Sequence, residues 1–567
     1  MHHIVLDGDV LDLALEIEAS ENAMDQGQER TAMASLLALA KNEDLGLWVH
    51  PHTVTDRLTR LSETPPGAPL ATGQEAANVA LKMAALLETV RLLPTPGVHL
   101  LQVLHTESPT PMWDLTILGA REYLEDFIVL RLQAHKAHFG DSHQSPTVPA
   151  TPTIMTPTDC HRLVSAELKS QADDRQPSGA VPFVDLKAQQ MGIYPVLEAN
   201  IFQVLKSCKF ILGPEVQELE QRLAESTGVE HVVSCSSGTE ALALALMAYD
   251  IGPGDAVFTT PFSFIATAEV ICLRGATPIF VDIDPRTFNL DPGRLDAAVN
   301  ALVSGKGGHA LPSGAAGLKP KAVITVDLFG LPADHDRINA IAARHGLAVI
   351  EDAAQSFGGQ AHGRQACALG DVGCTSFFPA KPLGGYGEGG ACFTNDAAVA
   401  ELMRSIRVHG QGTSRYEHAR LGTNARLDSL QAAVLLAKMD VFPLELERRE
   451  ELAARYSRLL EPCALVPPLI PEGFRSAWAQ YSLLAKDEVH RDACRQALTD
   501  HGIPSVIYYP IPLHLQRVFH PLGYASGALP VCEAASRRIF SLPMHPYLQA
   551  RTQERIARIL CDIAPAV

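Results

Sequence analysis

The sequence predicts an α/β protein: a large, mostly parallel sheet domain, a small C-terminal α/β lobe, and a separate small α/β domain ahead of both. Three observations predict it. From Pro182 onward, short apolar strands alternate with helical patterns, as parallel βα units do. Two of those strands end in acids, Asp282 with Asp284 and Glu351 with Asp352. Carboxylates at strand ends point into the crevice where an open α/β sheet holds its ligand. Between the two halves, residues 140–181 turn to Ser, Thr, Pro, Gln and charge, and 166–181 reads as an exposed linker. The expected domains are therefore 1–165, 182–440 and 441–567.

Composition narrows the function classes. Of 567 residues, 47% are hydrophobic and 19% charged, which suits globular domains with sizeable cores. A net charge of -18 disfavours nucleic acid or an anionic membrane as the main partner. The eleven cysteines form no CxxC pair and no metal-type spacing, which predicts reduced thiols in a cytoplasm. The N-terminus is acidic early and lacks the basic region of a signal peptide. No apolar run reaches the roughly eighteen residues of a membrane helix.

The first domain opens on a strand, 3–6, running into Asp7 and Asp9. Helical patterns follow at 11–17, 31–41, 78–93 and 114–124, with strands at 47–49 and 127–130. The opening LDGDVLDL, a DLTILGA helix and the closing PTIMTPTDCHRLV resemble a PIN domain, typically a metal-dependent ribonuclease. Such chemistry needs clustered carboxylates around Mg²⁺ or Mn²⁺, and Asp7, Asp9 and Asp114 are the candidates. A further acid is expected where the chain reads Leu130, Arg131, Leu132, and the acidic domain offers no basic face for phosphates. The resemblance is therefore to a degenerate PIN domain, used for folding, assembly or partner binding, with no metal site expected elsewhere.

From Pro182 the elements are taken in order. A helix at 215–226 precedes the strand 231–235, the turn Ser236, Ser237, Gly238, Thr239, and the apolar helix ALALALMA. A strand, a small-residue turn and a helix N-terminus present N–H groups to an anion; an ordinary Ser or Thr cap gives the same pattern. The strand 256–259 leads to Phe262 and Phe264 and the helix 266–274, and 278–281 is another strand. Residues 303–320 are Gly-rich without period and predict a flexible surface loop. After the strand 322–326, the helix 334–345 and the strand 347–350 come Glu351, Asp352, Gln355 and Ser356. The strand 374–378 then enters a lysine, Lys381, between Pro379 and Pro382, followed by five glycines. Prolines fix the backbone around this lysine and glycines admit close neighbours. A lysine so held beside apolar residues can have a lowered pKa and act as a nucleophile, although a lone loop lysine is usually a solvated one. Helices at 397–407, 429–438 and 445–460 follow, and strands 478–485 and 505–509 flank a helix at 491–501 in the closing lobe.

The anion cradle, the aromatic turn, the strand-end Asp352 and Lys381 together suit pyridoxal phosphate. Its aldehyde needs a lysine, its ring nitrogen a buried carboxylate, its ring an aromatic face, and its phosphate a helix N-terminus. SSGTEAL, GPGDAVFTTPFSFIATA, VIEDAAQSFGG, SFFPAKPLGGYGEGGA and GTNARLDSLQAA, in that order, resemble the DegT/StrS family of nucleotide-sugar aminotransferases, which are fold type I pyridoxal phosphate enzymes. The resemblance implies that Lys381 bonds the cofactor and that Asp352 meets the ring nitrogen. It places Gln355 on the ring hydroxyl, Phe264 against the ring, and Gly238, Thr239 and Ser376 on the phosphate. Asn424 matches an asparagine supplied by a neighbouring subunit, so the resemblance also implies a homodimer with shared active sites.

PFVDLKAQQ, KPLGGYGEGGA, RLDSLQAA, YYPIPLHLQ and SLPMHPY are similar to the members of that family that use glutamate to aminate C3 of a UDP-linked 3-keto uronic acid for surface polysaccharide. There Arg426 faces the substrate, and a guanidinium suits a carboxylate; a structural salt bridge is the alternative. Tyr509 matches a substrate-side tyrosine, with core packing as its alternative. Gly385 and the 303–320 segment depart from close members, which leaves the sugar open among UDP- and dTDP-keto sugars. The competing functions are an RNA-processing protein with an active PIN-like nuclease and a non-catalytic sensor that keeps the fold.

Overall fold

A computed structural model describes residues 181–564 apart from 306, 307 and 415, together with the backbone of five N-terminal strands. Contacts divide the chain into two units, Met1–Leu163 and Val164–Val567. In the first, Ile4–Val5 (β1), Leu47–Trp48 (β2), Val98–His105 (β3), Trp113–Ala120 (β4) and Ile128–Arg131 (β5) form a sheet in the order β2-β1-β3-β4-β5. β1 runs parallel to β2 and β3, whereas β3, β4 and β5 are antiparallel. The expected helix at 114–124 is therefore a strand. WDLTILGA carries Trp, Thr and Ile, which favour a pleated surface, and it pairs from Val98 with Ala120 to His105 with Trp113. Asp114 lies on β4 opposite Leu104. Asp7, Asp9 and the helices expected before residue 94 lie outside the described residues.

The second unit is built on seven strands: His231–Cys235 (β6), Asp255–Thr259 (β7), Thr277–Phe280 (β8), Lys319–Val326 (β9), Ala348–Asp352 (β10), Val372–Ser376 (β13) and Gly390–Thr394 (β14). Two short strands, Gln360–Ala361 (β11) and Arg364–Gln365 (β12), form a hairpin between β10 and β13. The sheet order is β6-β14-β13-β10-β9-β7-β8, and only β14 runs against the rest. Sheets covered on both faces read as near-continuous apolar runs, and the last four residues of both β6 and β7 are all buried. Gly238–Ala248 (α3) packs on one face, within a core that includes Leu244, Ile271 and Met403. Pro292–Ser304 and His335–His345 cover the other face around Phe258 and Ile338.

Register decides what the sheet presents at its rim. β9, β10 and β13 run side by side, with Val326, Asp352 and Cys374 in line. β14 sets Gly390 between Ser376 and Cys235. Acid, hydroxyl and helix-entry turn thus reach one edge from strands far apart in sequence.

Four helices escaped the sequence reading: Leu186–Ser207, Pro292–Ser304, Pro530–Arg538 and Ala550–Ile563. Leu186–Ser207 (α1) carries Gly192 and Pro195, both breaker signals, yet Asp185 caps it and the helix continues through the proline. Pro292–Ser304 begins at a proline capped by Asp291. The 303–320 segment is not a loose loop where described: Ala315 is buried and the Ser313 amide donates to the Leu522 carbonyl at 2.7 Å.

The C-terminal lobe packs Phe442–Leu459 (α9), Glu488–Asp500, Pro530–Arg538 and Ala550–Ile563 around the antiparallel pair Tyr481–Leu484 and Ile539–Leu542. The expected strand at 505–509 is reduced to one bridge, Val506 with Ser541. Phe262 and Phe280 of the sheet domain share one core with Leu513 and Phe519 of the lobe. Cys463 and Cys561 form a disulfide with Cα atoms 4.7 Å apart, so these two thiols depart from the reduced state expected. They are 98 residues apart, and no local motif announces the pair. Among the described residues, no helix is long and apolar enough to cross a membrane.

Candidate active site

Asp352 ends β10 and is 7% exposed. Its Oδ2 accepts the Thr267 hydroxyl at 2.8 Å, and its Oδ1 accepts the Ala354 amide at 3.2 Å. Thr267 lies in the first turn of the helix Ala266–Leu273 and is itself hydrogen-bonded to Ser263 at 2.9 Å. Burial raises the carboxyl's pKa; the Thr267 and Ala354 donors and the Lys381 charge lower it again. The carboxylate is thus fixed in direction, desolvated and in need of a cationic N–H. Thr267 escaped the sequence reading. Its only signal was its place three residues after Phe264, as the second residue of the next helix.

Lys381 sits in the turn after β13, where its amide donates to the Phe378 carbonyl at 2.9 Å. The side chain is half-buried, and its amine has no hydrogen bond or ion pair among the described residues. Desolvation lowers the amine's pKa, opposed by Asp352. An amine without a close counter-ion is available as a nucleophile at neutral pH more often than an ordinary lysine.

The turn expected to cradle an anion lies against the end of β13. Ser237 caps α3 by accepting the Glu240 amide at 3.1 Å, and Gly238 opens the helix. A Cβ at Gly238 would lie 2.7 Å from that of Ser376, so only glycine lets the turn approach β13. Ser376 Oγ accepts the Phe378 amide at 3.2 Å, which leaves its proton free to donate. The α3 N-terminus and Ser376 thus lie side by side, and a helix N-terminus offers N–H donors to an anion.

Gln355 joins the sheet domain to the lobe. Its Oε1 accepts the Phe329 amide at 2.8 Å, and its Nε2 donates to the Tyr509 hydroxyl at 3.1 Å. Burial raises the Tyr509 pKa, so the phenol stays protonated. The Phe262 ring meets Tyr509 edge-on at 6.3 Å. Contacts therefore join Asp352 to Thr267 and Gln355 to Tyr509, and the Gly238 and Ser376 backbones meet at the sheet edge. Phe264, Asn424 and Arg426 stand apart. The Phe264 ring is 56% exposed. Asn424 is exposed, its backbone bridging to Val408, with its neighbour Thr423 donating to Glu240 of α3 at 3.3 Å. The half-buried Arg426 guanidinium has no partner among the described residues, so the salt-bridge alternative finds no acid there.

A second polar cluster lies beside Asp352. Asp327, His335 and Glu351 are all buried, with ligand-type atoms within 4.8 Å of one another. Asp327 Oδ1 accepts the Ala333 amide and meets His335 Nε2 at 2.9 Å, and its Oδ2 accepts Ser356 at 2.9 Å. Glu351 accepts the Cys367 and Leu369 amides at 2.6 and 2.9 Å. Every carboxylate oxygen here is already held by its own chain, so the cluster ties the loops behind the site together.

Pyridoxal phosphate fits the residues present. Asp352 offers the buried carboxylate that a protonated ring nitrogen needs, Lys381 the unpaired amine, Gly238, Thr239 and Ser376 the phosphate donors, and Phe264 an uncovered ring.

Residues 196–561 match the model of the DegT/DnrJ/EryC1/StrS aminotransferase family. The chain is 44% identical over 382 residues to the UDP-2-acetamido-2-deoxy-3-oxo-D-glucuronate aminotransferase of Pseudomonas aeruginosa, covering 67% of this chain and 100% of that one. It is 40% identical over 380 residues to the UDP-N-acetyl-3-dehydro-alpha-D-glucosamine 3-aminotransferase of Acidithiobacillus ferrooxidans, covering 67% and 96%. The crystal structure of a DegT DnrJ EryC1 StrS aminotransferase from Brucella abortus superposes with a TM-score of 0.64 at 48% identity, covering 68% of this chain and 99% of that one. The chain belongs to the DegT/DnrJ/EryC1/StrS aminotransferase family and is a pyridoxal phosphate-dependent aminotransferase.

Proposed function

We propose that this aminotransferase moves the amino group of glutamate to C3 of a UDP-linked 3-keto sugar, the 3-oxo-N-acetylglucosaminuronate, for surface polysaccharide. The observation that carries the reaction is the pairing of a desolvated, unpaired Lys381 amine with the buried Asp352. The bound cofactor supplies an electron sink for charge that develops at the carbon losing its proton. The chain's residues do the rest. Asp352, braced by Thr267, keeps the ring nitrogen protonated. Lys381 Nζ would take and return the proton at the reacting carbon. Gln355 and Tyr509 carry hydrogen bonds from the cofactor side to the lobe, where the sugar enters. Arg426, with no acid of its own, is suited to the uronate carboxylate.

The sugar follows the Pseudomonas aeruginosa relative more closely than the Acidithiobacillus ferrooxidans one, whose named substrate lacks the uronate. Mass spectrometry of products from a panel of UDP- and dTDP-keto sugars with glutamate tests it: amination of the 3-keto uronate is expected, and preference for a neutral 3-keto sugar would reassign Arg426.

The functional unit in this proposal is a homodimer with shared sites. Its support is an uncovered apolar stripe, with Tyr194, Phe202 and Leu205 of α1 each half or more exposed. The stripe continues through Phe210 to Ile211, which bridges Asp428, four residues beyond Asn424. A partner covering this face meets the Asn424 segment. The reaction is assigned to the cytoplasm. The N-terminal unit is assigned a partner-binding or assembly role as a degenerate PIN-like domain; metal-dependent RNA cleavage lost in Asp7→Asn would overturn that.

A further inference from the structure

The loop that carries Lys381 is held from outside the crevice by one helix. Ser429–Met439 (α8) places Gln431 and Lys438 seven residues apart, two turns along one face. Lys438 is 1% exposed, and its Nζ donates to the Gly384 carbonyl at 2.6 Å. The same ammonium lies 4.3 Å from the centroid of the Tyr386 ring. Gln431 Oε1 accepts the Tyr386 amide at 2.8 Å. The ring itself packs with Ile193, Leu197, Val434 and Ala437, between α1 and α8.

The segment so gripped is closed on itself. The Gly385 amide donates to Phe377 at 2.7 Å, the Lys381 amide to Phe378 at 2.9 Å, and a Cβ at Gly384 would lie 2.7 Å from the Phe378 carbonyl. A shift of Gly384 or Tyr386 is therefore passed to the turn that presents Lys381. Burying an ammonium in an apolar helix is costly. Desolvation pulls the Lys438 pKa down to about 8, with Glu445 of α9 opposing it. A methionine of similar length would fill the space without that cost. The lysine's particular contribution is its donor to the loop backbone.

We propose that Lys438 and Gln431 are positioning residues that set the Lys381 amine by gripping the backbone three to five residues after it. The proposal rests on the aminotransferase reading for the amine's role, and on geometry alone for the grip. Lys438→Met removes the donor to Gly384 and the charge over the Tyr386 ring, Gln431→Leu removes the acceptor for the Tyr386 amide, and Gln431→Glu keeps that acceptor. Three readouts apply to the full chain: hydrogen exchange of the Gly385–Gly387 amides without cofactor, cofactor dissociation, and the rate and glutamate dependence of the glutamate half-reaction.

In Lys438→Met and Gln431→Leu the amides should exchange about tenfold faster or more. The half-reaction should slow by roughly 10- to 100-fold, as expected when a reacting group is misplaced by about an ångström. Half-saturating glutamate should change by less than about threefold, because uniform binding is untouched. Gln431→Glu should restore both exchange and rate. A Lys438→Met chain that does not fold leaves the Gln431 pair to decide. Parent-like exchange and rate in the folded variants overturn the positioning. A parent chain with no half-reaction overturns the aminotransferase reading instead, and the exchange measurement still reports the grip.

Discussion

Glu351 and Asp352 are adjacent on one strand, both buried, and point to opposite faces of the sheet. Glu351 faces a closed interior. Two backbone amides hold it, Asp327 and His335 lie beside it, and burial together with Asp327 outweighs the amides and His335 to push its pKa from 4.5 up to about 8. Asp352 faces the crevice. Burial raises its pKa too, but a hydroxyl, an amide and the Lys381 amine all favour its charge. Burial alone therefore does not mark a functional acid. The leading charged neighbour does: both acids accept donors and both feel Asp327, but the charge acting most strongly on Glu351 is that second acid, whereas on Asp352 it is the Lys381 amine.

The sharpest way to break this comparison is to remove the amine. Lys381→Ala should abolish transamination and the visible band of the lysine-bound cofactor, with the fold retained; surviving turnover refutes the site. Next, Asp352→Asn keeps the shape and removes the charge. Turnover should fall on the order of 10²–10³-fold, the loss seen when one preorganised electrostatic contact is removed. Thermal stability should hold, because a desolvated charge is exchanged for a neutral group. Loss of stability with activity intact would move Asp352 into the same class as Glu351.

Glu351→Gln should do the reverse. Its new NH₂ must face the Cys367 or Leu369 N–H, donor against donor, at about 1–3 kcal/mol, while turnover stays within a few-fold. The parent also carries a pH signature. Glu351 is raised in the folded state, so between about pH 4.5 and 8 the folded chain binds more protons than the unfolded one. Stability from this group is full below pH 4.5 and lost as pH rises through 8. The raised His335 pKa has the same sign. Melting temperatures across that range should fall less steeply in Glu351→Gln than in the parent; parallel slopes would contradict the assignment.

What the sequence disclosed follows the same physics. Lys381, Asp352 and the Ser236–Thr239 turn are legible because each is an oddity against its surroundings: a lysine between prolines, an acid after an apolar strand, small residues before a helix. The parallel sheet was legible as recurring apolar runs. What stayed hidden needed contacts distant in sequence. Thr267 becomes a brace only when β10 lies beside its helix, 85 residues away in sequence. Lys438 was visible as a lysine inside LLAKMDVF, but its target, the Gly384 carbonyl, is 54 residues earlier. The 114–124 error arose because a helical pattern running on into REYL outweighed the strand preference of Trp, Thr and Ile in WDLTILGA, while its partner strand, Val98–His105, had not been recognised.

Tyr509 is where the comparison of Glu351 and Asp352 can be extended to an uncharged group. Its hydroxyl oxygen accepts from Gln355, and its proton has no acceptor among the described residues. Burial keeps that proton in place, so the phenol is a donor for which the described residues supply no acceptor. Tyr509→Phe removes the donor and leaves Gln355 Nε2 without its acceptor, a loss of about 0.5–1.5 kcal/mol for one hydrogen bond, or roughly 2- to 10-fold. The two half-reactions separate the possible roles. A donor to the sugar predicts that only the sugar half-reaction slows, through weaker sugar binding. A brace for Gln355 predicts that both half-reactions slow equally, since a Gln355 on the cofactor would serve in each. The free proton favours the first outcome, and equal slowing would make Tyr509 a structural partner of Gln355.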